Sequence, residues 1–187
     1  MQNSIEPSWY LSESFRESDL PDGLSGWLLD AGSLTSKLVA SCGSRFNVRP
    51  VSQQWGRPLR SERELLGIPR SEVALTRQVV LLCGDTPWVF ARTLIPASSF
   101  RGKARRLAYL KSKPLGAVLF SDPHTVRKTM EIAHFNKDHL LHQYANLYSK
   151  HNSGIIDEDL WGRRTLFQFA GRPLLVNEIF LPDIPKD

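Results

Sequence analysis

Apolar and polar positions along the chain switch between a period of two and the helical period. The clearest stretch is ALTRQVVLLCGDTPWVFARTLIP, beginning at Ala74. Two runs rich in β-branched and aromatic residues there flank Cys83-Gly84-Asp85-Thr86-Pro87, a composition suited to a turn, and the pattern predicts a hairpin. A second hairpin is predicted over RRTLFQFAGRPLLVNEIFLP, turning at Ala170-Gly171-Arg172-Pro173. Single strands are expected from about Phe46 to Gln54 and from His124 to Ala133. Helical stretches fall between them. Trp27 to Leu29 closes a short apolar segment, Ser33 can cap a helix running from Leu34 to Ala40 and stopped by Gly43, and Ser61 with Glu64 has capping-box spacing for a helix to Leu66. Lys103 to Lys111 and Leu115 to Phe120 read as further helical pieces. Between Asp138 and Lys150 a stripe of Leu141, Tyr144, Leu147 and Tyr148 follows helical spacing, with Gly154 beyond its end. Hairpins with helices before and between them predict an α+β fold built on a single antiparallel sheet, not a parallel βαβ fold.

Side chains alternate across a strand, so each strand splits by parity into two faces. Leu75, Arg77, Val79, Leu81 and Cys83 share one face of the first hairpin strand, apolar except for Arg77. Trp88, Phe90, Arg92 and Leu94 group together in its partner, and Leu174, Val176, Glu178 and Phe180 in the last strand. Arg77, Arg92 and Glu178 thus interrupt faces that otherwise read as core, and a buried charge needs a partner. A structural ion pair is one solution, for instance Glu178 with an arginine. Two arginines against one glutamate leave positive charge over, and that surplus suits an anionic ligand held under cover, for which the planar guanidinium fork is well shaped.

The chain has 187 residues, 41% of them hydrophobic and 23% charged, values that fit one folded domain spanning 1–187 with a sizeable core. The longest apolar run, Val79 to Cys83, is far short of a bilayer span, and MQNSIEPSWY lacks the basic start and apolar stretch of a secretory signal. A soluble, cytoplasmic protein is expected. Two cysteines, Cys42 and Cys83, cannot build a disulfide scaffold or a Cys-rich zinc module, so a reducing compartment is expected, with Cys83 as a small buried hydrophobe. His134, Asp138, His139 and His142 match no standard zinc spacing and read as a solvated helix face; no metal or other cofactor is expected. The net charge is +5, and its densest run, Arg101, Lys103, Arg105, Arg106, Lys111 and Lys113, reads as a solvated basic face, without any helix-turn-helix, zinc-finger or RNP-like signature. Neither nucleic acid nor membrane is expected as a partner.

Four blocks carry a resemblance: GWLLDAGSLTSKL from Gly26, LTRQVVLLCGDTPWVFARTLIP from Leu75, KPLGAVLF from Lys113 and LWGRRTLFQFAGRPLLVNEIFLP from Leu160. In this order they resemble the chorismate pyruvate-lyase family, whose members split chorismate into 4-hydroxybenzoate and pyruvate at the entry to ubiquinone biosynthesis. The resemblance implies one antiparallel sheet with helices around it and helical flaps over a buried ligand pocket. It also implies that Arg77 binds the ring carboxylate, that Glu178 meets the oxygen at the opposite end of the ring, and that Leu115 contributes a backbone contact. Leu34 would line a flap, and Arg92 would serve the enolpyruvyl carboxylate. Catalysis would fall to Glu178 and Arg77, without a cofactor, in a monomer prone to inhibition by its own product. Arg163 and Arg164 of the WGRR segment point to opposite faces, so at most one reaches the pocket, and the sequence does not select it. The connection from Phe135 to Asp159 is longer than in short family members, which bears on ligand access and self-association. The competing functional reading is a non-catalytic domain of the same fold that senses an aromatic acid or small carboxylate; a nucleic-acid-binding role rests on net charge alone.

Overall fold

The computed structural model of the protein describes residues 5–149 and 155–186. Its strands are β1 (Tyr10–Leu11), β2 (Phe46–Gly56), β3 (Ala74–Cys83), β4 (Thr86–Pro96), β5 (Val126–Phe135), β6 (Leu160–Phe169) and β7 (Arg172–Phe180). They form one antiparallel sheet in the order β1-β5-β6-β7-β4-β3-β2. The two expected hairpins are β3–β4 and β6–β7, turning at residues 84–85 and 170–171. Gly84 and Gly171 sit there at φ of +60° and +76°, where a side chain would be strained. The α+β architecture expected from the patterning is the one observed.

Helices cover both faces of the sheet. On one lie α1 (Ser25–Leu28), α2 (Leu34–Cys42), a 3-10 segment over Gly102–Tyr109 and α4 (Leu115–Ser121); on the other lie α3 (Arg60–Leu66) and α5 (Leu140–Ser149). Trp27, Leu28 and Leu38 pack on Val79, Leu81 and Phe180, while Leu107, Leu115 and Leu119 pack on Phe167, Leu174 and Val176. Across the sheet, Leu141 and Ala145 of α5 meet Val80, Phe90 and Ile179, and Leu66 of α3 meets Leu94 and Leu175. Double coverage explains why every residue of β3 is buried, including both of its parities.

The local signals operate with some changes. Ser33 Oγ accepts the Ser36 N–H at 3.3 Å, starting α2 as expected, and Gly43 ends it at φ +68°. At α3 the capping carboxylate is Glu62, which accepts the Leu59 N–H at 2.9 Å, so the helix begins at Arg60 and not through a Ser61–Glu64 pair. The Phe135 to Asp159 connection supplies α5 to the core on the sheet face away from α2 and α4. Leu147 of the expected stripe is 55% exposed, and Lys150 and Gly154 lie outside the described residues. His142 is buried, bonded to the Glu158 carbonyl at 2.9 Å, in place of the solvated position expected for it. Among the described residues no cluster of side chains is suited to hold a metal ion, and no helix is long and apolar enough to cross a membrane.

The cysteines correct the expectation of free thiols. Cys42 at the end of α2 and Cys83 at the end of β3 form a disulfide across 41 residues of sequence. A low cysteine count excludes a multiply bridged scaffold but not one bridge, and α2 lies on the end of β3, which brings its last residue onto Cys83. The inference of a reducing compartment from cysteine number therefore does not carry over.

Candidate active site

Between the sheet and its cover of α2 and α4 lies a cavity that opens to solvent. Its floor comes from residues of six strands: Val48 of β2, Arg77, Val79 and Leu81 of β3, Ala91 and Thr93 of β4, Val176 and Glu178 of β7, Arg163, Thr165 and Phe167 of β6, and Arg127 of β5. Leu34 and Thr35 of α2 and Leu115, Gly116, Leu119 and Phe120 of α4 close it from above. The two helices meet closely. A Cβ on Gly116 would fall 2.6 Å from Thr35 Oγ1 and 3.1 Å from its Cβ, so only glycine allows this approach of α4 to α2.

Four charged side chains line this largely apolar space: Arg77, Arg127, Arg163 and Glu178. Arg77 is 5% exposed, and its Nη2 donates to the carbonyls of Lys111 and Lys113 at 2.9 and 3.2 Å. Desolvation holds its guanidinium below the usual arginine range, though an arginine so buried stays charged. The basic run thus contributes to the site through its backbone, while its six cationic side chains are exposed. The carbonyl of Lys113 also places Arg77 beside the start of α4. Leu115, its first residue, has an N–H without an intrahelical acceptor, and its side chain lines the cavity.

Arg163 and Glu178 sit opposite each other on β6 and β7, with Arg163 Nε 2.6 Å from Glu178 Oε2. Arg163 Nη1 donates to the carbonyls of Trp27, at 2.9 Å, and Asp30, at 2.5 Å, tying α1 and the loop between it and α2 to the sheet. This selects the WGRR arginine that the sequence left open. Arg164 points to the other face, where it pairs with Glu131 at 2.5 Å, donates to Ser61 Oγ and lies over the Trp9 ring. The glycine before them is steric in origin: a Cβ on Gly162 would stand 2.7 Å from the Glu178 carbonyl oxygen and 3.2 Å from Ile179 Cα.

Of the residues singled out from sequence, Arg77, Glu178, Leu34 and Leu115 come together in the cavity. Arg92 does not. It lies on the opposite face of β4, where its Nε and Nη2 grip Glu62 at 2.8 and 3.2 Å, and Asn177 donates to the same carboxylate at 3.1 Å. The parity argument established its burial but not its side, because both faces of this sheet are covered. A bulge in the β3–β4 pairing between Leu81 and Leu82 adds to this: Trp88 joins the cavity-side core while Phe90 joins the other one. Arg92 is thus half of a structural ion pair.

Arg127 escaped the sequence reading altogether. In β5 it would share the outward parity of Thr129 and Glu131, but two residues of β5 oppose one of β6 between Arg127 and Thr129. The extra residue, Lys128, rotates Arg127 onto the face of its partner Phe167, which is the cavity face. Burial and the neighbouring Arg163 charge hold its guanidinium below the usual range.

The geometry can be set beside known proteins. Residues 8–186 match the family model described as chorismate lyase. Proteins named "probable chorismate pyruvate-lyase" from Methylococcus capsulatus and Aromatoleum aromaticum are each 38% identical to this chain, over 86% and 88% of it and 96% and 88% of their own lengths. One so named from Shewanella amazonensis is 39% identical over 93% of this chain and 87% of its own. Among solved structures, the effector domain of PhnF from Mycobacterium smegmatis matches with a TM-score of 0.56 at 17% identity, covering 83% of this chain and 91% of that one. The ligand-binding domain of a GntR-family regulator from Bordetella bronchiseptica matches at 0.51 and 17%, over 76% and 86%. At these identities the two show a shared fold. With the family model matching nearly the whole length and relatives close to 40% identical, the chain belongs to the chorismate lyase family.

Proposed function

We propose that the protein is a chorismate pyruvate-lyase, converting chorismate to 4-hydroxybenzoate and pyruvate as the first step of ubiquinone biosynthesis. One observation carries the reading: a mostly apolar cavity between sheet and helices holds three arginines against one glutamate, a surplus of two positive charges. Chorismate is a dianion of matching charge.

The reaction is an elimination. The ether bond from the ring to the enolpyruvyl oxygen breaks, a proton leaves the ring carbon that bears the hydroxyl, and the ring becomes aromatic; the enolate that departs with the bonding pair takes up one proton to give pyruvate. Aromatisation provides the drive, so the protein's part is chiefly to position the substrate and exclude water. Arg77 takes the ring carboxylate, with the Leu115 N–H beside it as a second donor. Glu178 serves the far end of the ring. Its Oε2 is engaged by Arg163, which leaves Oε1 to accept the ring hydroxyl or the departing ring proton. Leu34 and Leu115 supply apolar cover.

4-Hydroxybenzoate keeps both groups that Arg77 and Glu178 would recognise. Slow product release and product inhibition follow. The test is to mix the purified protein with chorismate and follow 4-hydroxybenzoate by its ultraviolet absorbance. Conversion supports the reading; chorismate binding without conversion would identify a sensing domain instead.

A further inference from the structure

Four arginines, Arg77, Arg92, Arg163 and Arg164, are buried around this sheet, Arg127 is half-buried beside them, and their partners sort them. Arg92 and Arg164 face Glu62 and Glu131 on the side away from the cavity, and Arg163 faces Glu178. Arg77 and Arg127 differ. Among the described residues neither has a carboxylate within ion-pair distance, and both line the same cavity. Arg77 is held by two carbonyls; Arg127 has the Gly32 carbonyl at 3.0 Å and the Met130 thioether at 3.9 Å. A guanidinium taken from water and hydrogen-bonded only to neutral acceptors can be satisfied by an anion; this holds fully for Arg77, while at half-buried Arg127 the Glu178 and Asp30 carboxylates act only from beyond ion-pair distance.

Their placement sets the size of that anion. Arg77 lies on β3 and Arg127 on β5, with β4, β7 and β6 between them. Four inter-strand steps of ~4.8 Å separate the two strands by roughly 19 Å across the sheet, and Arg127, opposite Phe167, lies two β6 residues along from the row Arg77–Thr93–Val176–Thr165. Two long side chains reaching toward each other over the cavity floor suit a ring that carries one carboxylate directly and a second on a side chain. Arg127 also sits where the cover meets the sheet: its guanidinium carbon is 5.8 Å from the Phe120 ring of α4 and 5.4 Å from the Phe167 ring, and its Nη2 reaches Gly32 just before α2. A ligand group bound there touches both closing segments.

We propose that Arg127, and not Arg92, binds the second carboxylate of the substrate, the one carried by the enolpyruvyl side chain. This rests on the lyase reading above. Bonding at that point would also draw the Gly32 and Phe120 segments onto the ligand, so the dicarboxylate, but not the aromatic product, fills both ends of the cavity.

The test uses Arg127→Gln and Arg127→Lys, with thermal melting to establish that each folds. For Arg127→Gln we expect kcat/KM for chorismate to fall roughly 10- to 100-fold, the range for loss of a charged hydrogen-bonded partner. Affinity for 4-hydroxybenzoate, which lacks the second carboxylate, should change less than about twofold on the same reasoning. Arg127→Lys should recover part of the loss. Equal losses for chorismate and 4-hydroxybenzoate, or unchanged kcat/KM, would overturn the assignment. A second measurement separates it from the lyase reading and needs no turnover. The wild-type protein should bind 3-(carboxymethoxy)benzoate more tightly than 3-methoxybenzoate, and Arg127→Gln should lose that preference. If the wild type does not convert chorismate yet shows this preference, the function fails and the carboxylate subsite stands; if it converts chorismate and shows no preference, the subsite fails alone.

Discussion

Arg163 and Glu178 face each other across adjacent strands with 2.6 Å between Nε and Oε2, and the same guanidinium reaches back to the Trp27 carbonyl of α1 and the Asp30 carbonyl of the loop before α2. The pair therefore joins the floor of the cavity to its cover. Arg163→Met should lower stability by about 3 kcal/mol, because it leaves Glu178 without its counter-charge in a largely desolvated place. Adding Glu178→Gln should return part of that loss. Urea denaturation of the two single variants and the double variant measures the coupling, and strict additivity would show that the two side chains act independently.

Glu178→Ala should reduce kcat by tenfold or more, on the order of what a positioned proton acceptor contributes, while KM for chorismate changes less. Steady-state kinetics on the folded variant check this. Near-normal turnover would remove Glu178 from the chemistry.

Arg77→Met should weaken 4-hydroxybenzoate binding by roughly 10- to 100-fold, since the carboxylate loses a charged donor in a desolvated site. Calorimetric titration of the product reads this directly. The loss should be shared by chorismate, in contrast to the selective effect expected at Arg127.

Glu62→Leu should destabilise the protein by about 3–5 kcal/mol by stranding the buried Arg92 guanidinium, yet leave KM for chorismate unchanged in the folded fraction. The pair sits on the face of the sheet away from the cavity. A raised KM with unaltered stability would return Arg92 to the substrate.

Much of this arrangement is legible in the sequence, and the exceptions have physical causes. Hairpin turns at Gly84 and Gly171, the Ser33 cap and the apolar parities follow local rules that the tertiary structure leaves intact. Arg77 and Glu178 stand out because each interrupts an otherwise apolar face, and the resemblance adds Leu34 and Leu115. Arg92 breaks the pattern equally well, but parity registers burial without saying which of two covered faces a side chain enters. Arg127 is hidden for the opposite reason: a single bulge at Lys128 inverts its parity, and bulges leave no reliable trace in one sequence. The partner of Cys42 was likewise beyond local reasoning, since it lies 41 residues away.

The covalent link between Cys42 and Cys83 restricts how a guest can enter. It stakes the C-terminal end of α2 to the sheet, so the helix cannot lift away as a rigid body. What freedom α2 retains is that of a door on a fixed hinge, with the swing greatest at the far jamb, where Ser33 and Thr35 lie against Gly116.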